Sequence, residues 1–169
     1  MKNIVLIGFM GTGKTSVGRA LARRLKRPFI DVDERIEKTR GRTIPAIFEE
    51  EGEAAFRAVE KACVKEAAAG RGAVITTGGG AVLDPENVTA LRSNGWLVAL
   101  TAAPETVFDR VKRSTRPLLK GPDKMAAIRR LMTEREPFYR TADLSVPTDG
   151  LSLAKVAARI LDGWKKIQS

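Results

Sequence analysis

Apolar residues open the chain as an unbroken run, Ile4-Val5-Leu6-Ile7, and then change to periodic spacing. Such a run predicts a strand buried on both faces of a parallel sheet. It stops at the glycine-rich stretch from Gly8 to Gly13. Beyond it, Val17, Leu21, Ala22 and Leu25 recur at helical spacing, with basic residues opposite them and in the last turn. Residues 28–33 predict a second short strand running into a polar end. Helices are predicted over about 34–40 and 44–69, the latter broken near Gly52, with Thr43 as N-cap and Pro45 in its first turn.

The pattern continues in the same alternation. Strands are predicted at 73–77, 96–100 and 142–146, and helices at 85–93, 104–112, 123–135 and 151–167. The stretch 113–123 is loop-like, with Pro117, Gly121, Pro122 and several charges. Strands alternating with helices predict a three-layer α/β/α fold around a five-stranded parallel sheet, joined by right-handed crossovers. The 169 residues show no repeat or linker, so a single domain over 1–169 is expected. The longest apolar runs are strand-sized, too short to cross a bilayer, and no secretory leader is seen. A cytoplasmic protein is expected.

Composition narrows the chemistry. There is no histidine, which removes imidazole acid–base catalysis and most zinc sites. A single cysteine, Cys63, removes disulfides and cysteine-cluster metal sites and reads as a small buried residue. Proton transfer then falls to a carboxylate, lysine or tyrosine, and any metal should be a hard cation held by oxygen, magnesium first. The net charge of +10 comes from basic residues spread along the chain, and aromatics are only 5%, so stacking platforms are scarce. Small anions are the expected partners, with no nucleic acid and no membrane.

Gly8-Phe9-Met10-Gly11-Thr12-Gly13-Lys14-Thr15 fits G-x-x-x-x-G-K-[ST], between a buried strand and a helix start, the context of a P-loop NTPase. Backbone N–H groups of such a turn bind phosphate oxygens, helped by the helix dipole. Gly11, Thr12, Gly13, Lys14, Thr15 and Ser16 are therefore the candidate ATP-binding residues. Lys14 can reach the β- and γ-phosphates, and Thr15 can take a magnesium position.

Asp31 and Asp33 stand two apart on the predicted second strand, which puts both on one face near its C-terminal end. One carboxylate can hold magnesium through water while the other takes a proton from an attacking hydroxyl. Two solvated strand-end acids are the alternative. Gly78-Gly79-Gly80 closes the third strand at the same sheet edge, either as a backbone that approaches a ligand closely or as a flexible turn. Arg57, Arg116 and Arg135 are isolated arginines suited to carboxylate or phosphate, or to surface ion pairs.

Together these motifs resemble the shikimate kinase family. The residues that carry the resemblance are G-x-x-x-x-G-K-T at 8–15, F-I-D-x-D at 29–33, G-R-x-I-x-x-I-F at 41–48 and G-E-x-x-F-R-x-x-E at 52–60. They continue with G-G-G-A-V at 78–82, R-P-L-L at 116–119 and R-x-P-x-Y at 135–139. The resemblance implies transfer of the ATP γ-phosphoryl group to the 3-hydroxyl of shikimate, with Mg2+, by a monomer. It implies Asp31 near the metal and Asp33 as the base that binds acceptor hydroxyls. Arg57, Arg135 and the Gly79 N–H would hold the shikimate carboxylate, with Gly78 alongside and the Gly80 N–H facing a hydroxyl. Arg116 would come from a lid at about 112–124, Glu60 would orient Arg57, and the acceptor-binding helices would span about 33–61. Ile44, Phe48 and Phe56 would form the apolar wall.

For the arginine that stacks on adenine in the family, both Arg110 and Arg113 qualify. Pro45 stands where a non-proline residue is usual. Tyr139 reads as a ligand contact or as packing, and Trp96 and Trp164 as packing. A gluconate kinase-like enzyme is the nearest competing reading, disfavoured by Arg57, Arg135 and the R-P-L-L segment. A basic nucleotide-dependent nucleic-acid-binding module is the reading from another class.

Overall fold

The computed structural model describes residues 1–114 and 116–168. Residue 115, inside the expected lid, lies outside the described residues. The first strand, β1 (Asn3–Gly8), is buried at all six positions. It pairs in parallel with β3 (Val74–Thr76) on one side and β4 (Gly95–Thr101) on the other, Leu6 facing Thr76 and Val98. With β2 (Phe29–Asp31) and β5 (Leu144–Pro147), the sheet is parallel throughout, in the order β2-β3-β1-β4-β5.

Strand alternation sends Ile4, Leu6, Trp96, Val98 and Leu100 to one face. There α1 (Lys14–Leu25) and α7 (Leu153–Lys166) cover them with Val17, Leu21, Ile160 and Trp164. The Trp96 and Trp164 rings lie 5.5 Å apart, so both tryptophans pack as expected. The opposite residues, Val5, Ile7, Leu97 and Ala99, belong to the core under α2 (Val32–Arg40), α3 (Ile44–Ala69), α4 (Pro85–Asn94), α5 (Pro104–Val111) and α6 (Lys124–Tyr139). Cys63 is buried there.

Two local expectations are corrected. Val32 and Asp33 are not strand residues but the first turn of α2. The Asp31 carboxylate accepts from the N–H groups of Asp33 at 3.0 Å and Glu34 at 3.3 Å, so it is an N-cap that ends the strand at once. The second correction concerns α6, which continues past Arg135 and through Pro137 to Tyr139. Proline forfeits one helical hydrogen bond there, but Tyr139 is buried and anchored by tertiary contacts that outweigh this local preference. The break in α3 is where expected: Gly52 has φ 84° and ψ 171°, a conformation that side chains disfavour. Thr43 caps the helix through the Ala46 N–H.

Candidate active site

Lys14 begins a helix whose N-cap, Gly13, has φ 90° and supplies no capping side chain. The first N–H groups of α1 thus face the cleft without a side-chain acceptor, the arrangement that binds anions. The Lys14 ammonium donates to the carbonyls of Gly8 (2.8 Å) and Phe9 (2.9 Å), which curls it over the loop and leaves one N–H for a ligand. Burial pulls its pKa down to about 8, with Asp33 pulling the other way and Arg116 adding to the fall.

The cleft has a volume of about 480 Å³, and Lys14, Arg57, Arg110, Arg116 and Arg135 line it against only three acids, Asp31, Asp33 and Glu60. This excess of positive charge favours anionic ligands. Gly11, Gly13, Thr15, Ser16, Gly78, Gly79 and Gly80 line it as well. Among the expected nucleotide residues, one side chain turns away from the cleft. The Thr12 hydroxyl is buried and donates to the Phe9 carbonyl at 2.7 Å, so the side chain staples the turn from behind instead of facing a ligand. Of the two arginine candidates, Arg110 reaches the cleft, donating to the Gly11 carbonyl at 2.9 Å and the Thr148 hydroxyl at 3.1 Å.

Thr15 and Asp31 meet at the floor, the hydroxyl donating to Asp31 Oδ2 at 2.9 Å. Asp33 stands beside them despite its helical backbone. Its Oδ1 is buried without a hydrogen-bond partner among the described residues, and burial, with the Asp31 charge adding and Lys14 opposing, pushes its pKa up to about 6. An acid so placed is ionised near pH 7 yet close enough to that pH to accept a proton.

The other half of the cleft is a layer of charged groups against the glycine triplet. None of the three glycines has positive φ, so space and not backbone freedom is what they provide. A Cβ on Gly78 would lie 2.9 Å from Asp33 Oδ1 and 3.2 Å from Glu60 Oε1. One on Gly79 would lie 3.3 Å from Arg135 Nη1, and one on Gly80 only 2.4 Å from Arg57 Nη2. Arg57 is fixed by Glu60 Oε2 at 2.7 Å and Glu53 Oε1 at 3.3 Å. Glu60 is itself buried, which pushes its pKa up while Arg57 pulls it down. Arg135 is only 4% exposed, and no carboxylate among the described residues forms an ion pair with it. A buried guanidinium without an acid partner is costly unless an anion joins it.

The kink at Gly52 folds the start of α3 over this layer, so that Ile44, Pro45, Phe48 and Phe56 form an apolar wall, the two phenylalanine rings 4.7 Å apart. The segment 112–124 contributes Ser114, Arg116, Pro117 and Leu118. Lys124 ties its two ends, donating to the carbonyls of Lys112 (2.9 Å) and Ser114 (3.1 Å). Three features went unread in the sequence. Thr77 lines the cleft with its hydroxyl buried and unpartnered, Thr148 steadies Arg110, and the Tyr139 hydroxyl donates to the Gly79 carbonyl at 2.6 Å. Of these only Tyr139 carried a signal, its place one helical turn after Arg135.

Comparison with known proteins agrees with this geometry. The family model described as shikimate kinase matches residues 10–165. A shikimate kinase of Pelotomaculum thermopropionicum is 51% identical, over 98% of this chain and 97% of its own. Among solved structures, a shikimate kinase from Acinetobacter baumannii in complex with shikimate superimposes with a TM-score of 0.95 at 38% identity, covering 98% of this chain and 94% of that one. A gluconokinase from Sinorhizobium meliloti 1021 shares the fold, with a TM-score of 0.66 at 20% identity, over 98% of this chain and 93% of its own.

Proposed function

The chain belongs to the shikimate kinase family, and from that premise we propose how its residues divide the transfer of the ATP γ-phosphoryl group to the 3-hydroxyl of shikimate, which gives 3-phosphoshikimate and ADP. The acceptor's carboxylate is held by Arg57 and Arg135 with the Gly79 N–H, against the apolar wall. Its hydroxyl lies at Asp33, which takes the proton as the oxygen attacks the γ-phosphorus. The N–H groups of Gly11 to Ser16 hold the phosphates, Lys14 and Arg116 neutralise charge on the transferring group, and Arg110 flanks the nucleotide. Such a transfer needs alignment and charge neutralisation more than covalent help.

Thr15 and Asp31 suit Mg2+: two oxygen donors side by side, too few for an all-protein cage, match an ion that keeps waters and takes phosphate oxygens. When bound, it neutralises the β- and γ-phosphate oxygens. The segment 112–124 acts as a lid that excludes water, and helices within 33–61 form the acceptor half of a single domain. A monomer is part of the same reading, and the ATP it consumes supports a cytoplasmic setting. No helix among the described residues is long and apolar enough to cross a membrane.

The observation that carries the reading is Arg135: buried, with no carboxylate in ion-pair contact among the described residues, and set against the glycine triplet opposite the phosphate loop. The test compares shikimate with its methyl ester, which lacks the negative charge. Native protein should prefer the acid by about 100-fold or more in kcat/KM, since both guanidinium contacts are charge-assisted. Arg135→Ala should lose most of that preference. Equal preference in both proteins would overturn the carboxylate assignment.

A further inference from the structure

Tyr139 stands beside two elements of the acceptor half, the Gly79 peptide and Arg135. Its hydroxyl donates to the Gly79 carbonyl at 2.6 Å. The Arg135 guanidinium lies near the same phenol and favours its ionised form, against the larger effect of burial, and its Nη1 lies 3.3 Å from where a Cβ on Gly79 would stand. The two residues sit one helical turn apart on α6, and Pro137 between them leaves the turn short of one backbone bond.

The ring is buried as part of the core on this side of the sheet. Behind it lies a second cavity of about 750 Å³, bordered by Phe9, Thr12, Ala102, Met132 and Tyr139 itself. On the side of that cavity little van der Waals contact resists a shift, so there the directed contact of the hydroxyl adds to the packing that holds the ring. Without the hydroxyl, the ring is free to move toward that volume. The Gly79 peptide and the Arg135 guanidinium would then lose their common reference.

We propose that Tyr139 is a positioning residue for acceptor recognition, fixing the Gly79 peptide so that its N–H and the Arg135 side chain converge on one anion. This rests on the assignment of Arg135 to the acceptor's carboxylate. Tyr139 neither touches the phosphates nor exchanges a proton with substrate. Burial pushes its pKa up to about 12, so the phenol remains a hydrogen-bond donor throughout the working range.

The test is Tyr139→Phe, with Arg135→Ala alongside. Tyr139→Phe should raise KM for shikimate about 10-fold, the weight of one buried hydrogen bond, with KM for ATP and kcat within about twofold of native. It should also narrow the preference for shikimate over its methyl ester. An unchanged KM for shikimate, or a parallel rise in both KM values with a fall in Tm, would overturn the inference. If Arg135→Ala raises KM for shikimate and Tyr139→Phe does not, the Tyr139 role alone fails; if neither does, the carboxylate assignment beneath it fails. Should Tyr139→Phe not fold, a fluorinated tyrosine that ionises within the assay range replaces it. KM for shikimate should then rise with pH where the native value stays flat, and a flat response would count against the role.

Discussion

Arg57 occupies the space where a side chain on Gly80 would begin. A Cβ there would come within 2.4 Å of Nη2 and 2.8 Å of Cζ, so the guanidinium rests directly on the backbone. The contact is with the far end of a flexible side chain, which yields more cheaply than backbone would. Gly80→Ala should therefore fold with a Tm close to native but with Arg57 displaced. KM for shikimate should rise about 10- to 100-fold while KM for ATP holds, as expected for loss of a charge-assisted contact. Steady-state kinetics with each substrate varied will check this; an equal rise in both KM values would place the damage elsewhere.

Asp33 predicts opposite effects on rate and stability. Its carboxyl has a value of 3.8 unperturbed and about 6 in the fold, so the folded state binds the proton more tightly. Stability from the protonated form is full below 3.8 and is lost as pH rises through 6. Above about pH 7 the ionised group costs on the order of 3 kcal/mol. Asp33→Asn should thus gain a few degrees of Tm at pH 8 and little at pH 4, while kcat falls about 10²- to 10⁴-fold. Thermal melts at the two pH values check the sign, and unchanged turnover would remove Asp33 as the base.

Lys14 sets the alkaline limit. With its pKa pulled down to about 8 by burial, the free protein loses this cation above that pH. The profile of kcat/KM for ATP should then fall about tenfold per pH unit beyond 8, and on the acid side below 6 as Asp33 takes up its proton. Lys14→Arg should lose the alkaline limb, at a lower rate overall, since guanidinium does not titrate there. An alkaline limb that persists in that variant would assign it to another group.

Asp31 has two tasks that substitution can separate. One oxygen caps α2 and the other accepts from Thr15. Asparagine still caps a helix, so Asp31→Asn should keep its Tm, whereas Asp31→Ala should lose about 1 kcal/mol. Both should need more Mg2+ for half-maximal activity, because the anionic oxygen is gone. A magnesium titration of each variant measures this, and an unshifted requirement in Asp31→Asn would remove Asp31 from the metal site.

The sequence misled where one local pattern served two geometries. Asp31-Val32-Asp33 reads as alternation on a strand, yet Glu34 three residues after Asp31 is also the signature of a capped helix start, and the cap prevailed. Both carboxylates still reach the cleft, by a helical turn in place of strand alternation. The Thr12 side chain was illegible for another reason: the loop's backbone binds phosphate, and nothing in the motif says which way an intervening side chain points.

The phosphate half is written within eight consecutive residues, because its function is a backbone conformation that neighbouring glycines and the following helix dictate locally. The same holds for the parallel sheet, since an apolar run without alternation must be covered on both sides. The acceptor half belongs to the tertiary structure. Asp33, Arg57, Glu60 and Arg135 come from three helices, and what joins them is contact with three small residues at the end of β3. Which charged group lies on which glycine depends on how the helices pack over the sheet, and close packing of distant segments leaves no periodic trace in the chain. The bond from Tyr139 to Gly79 spans 60 positions and is known only from the fold.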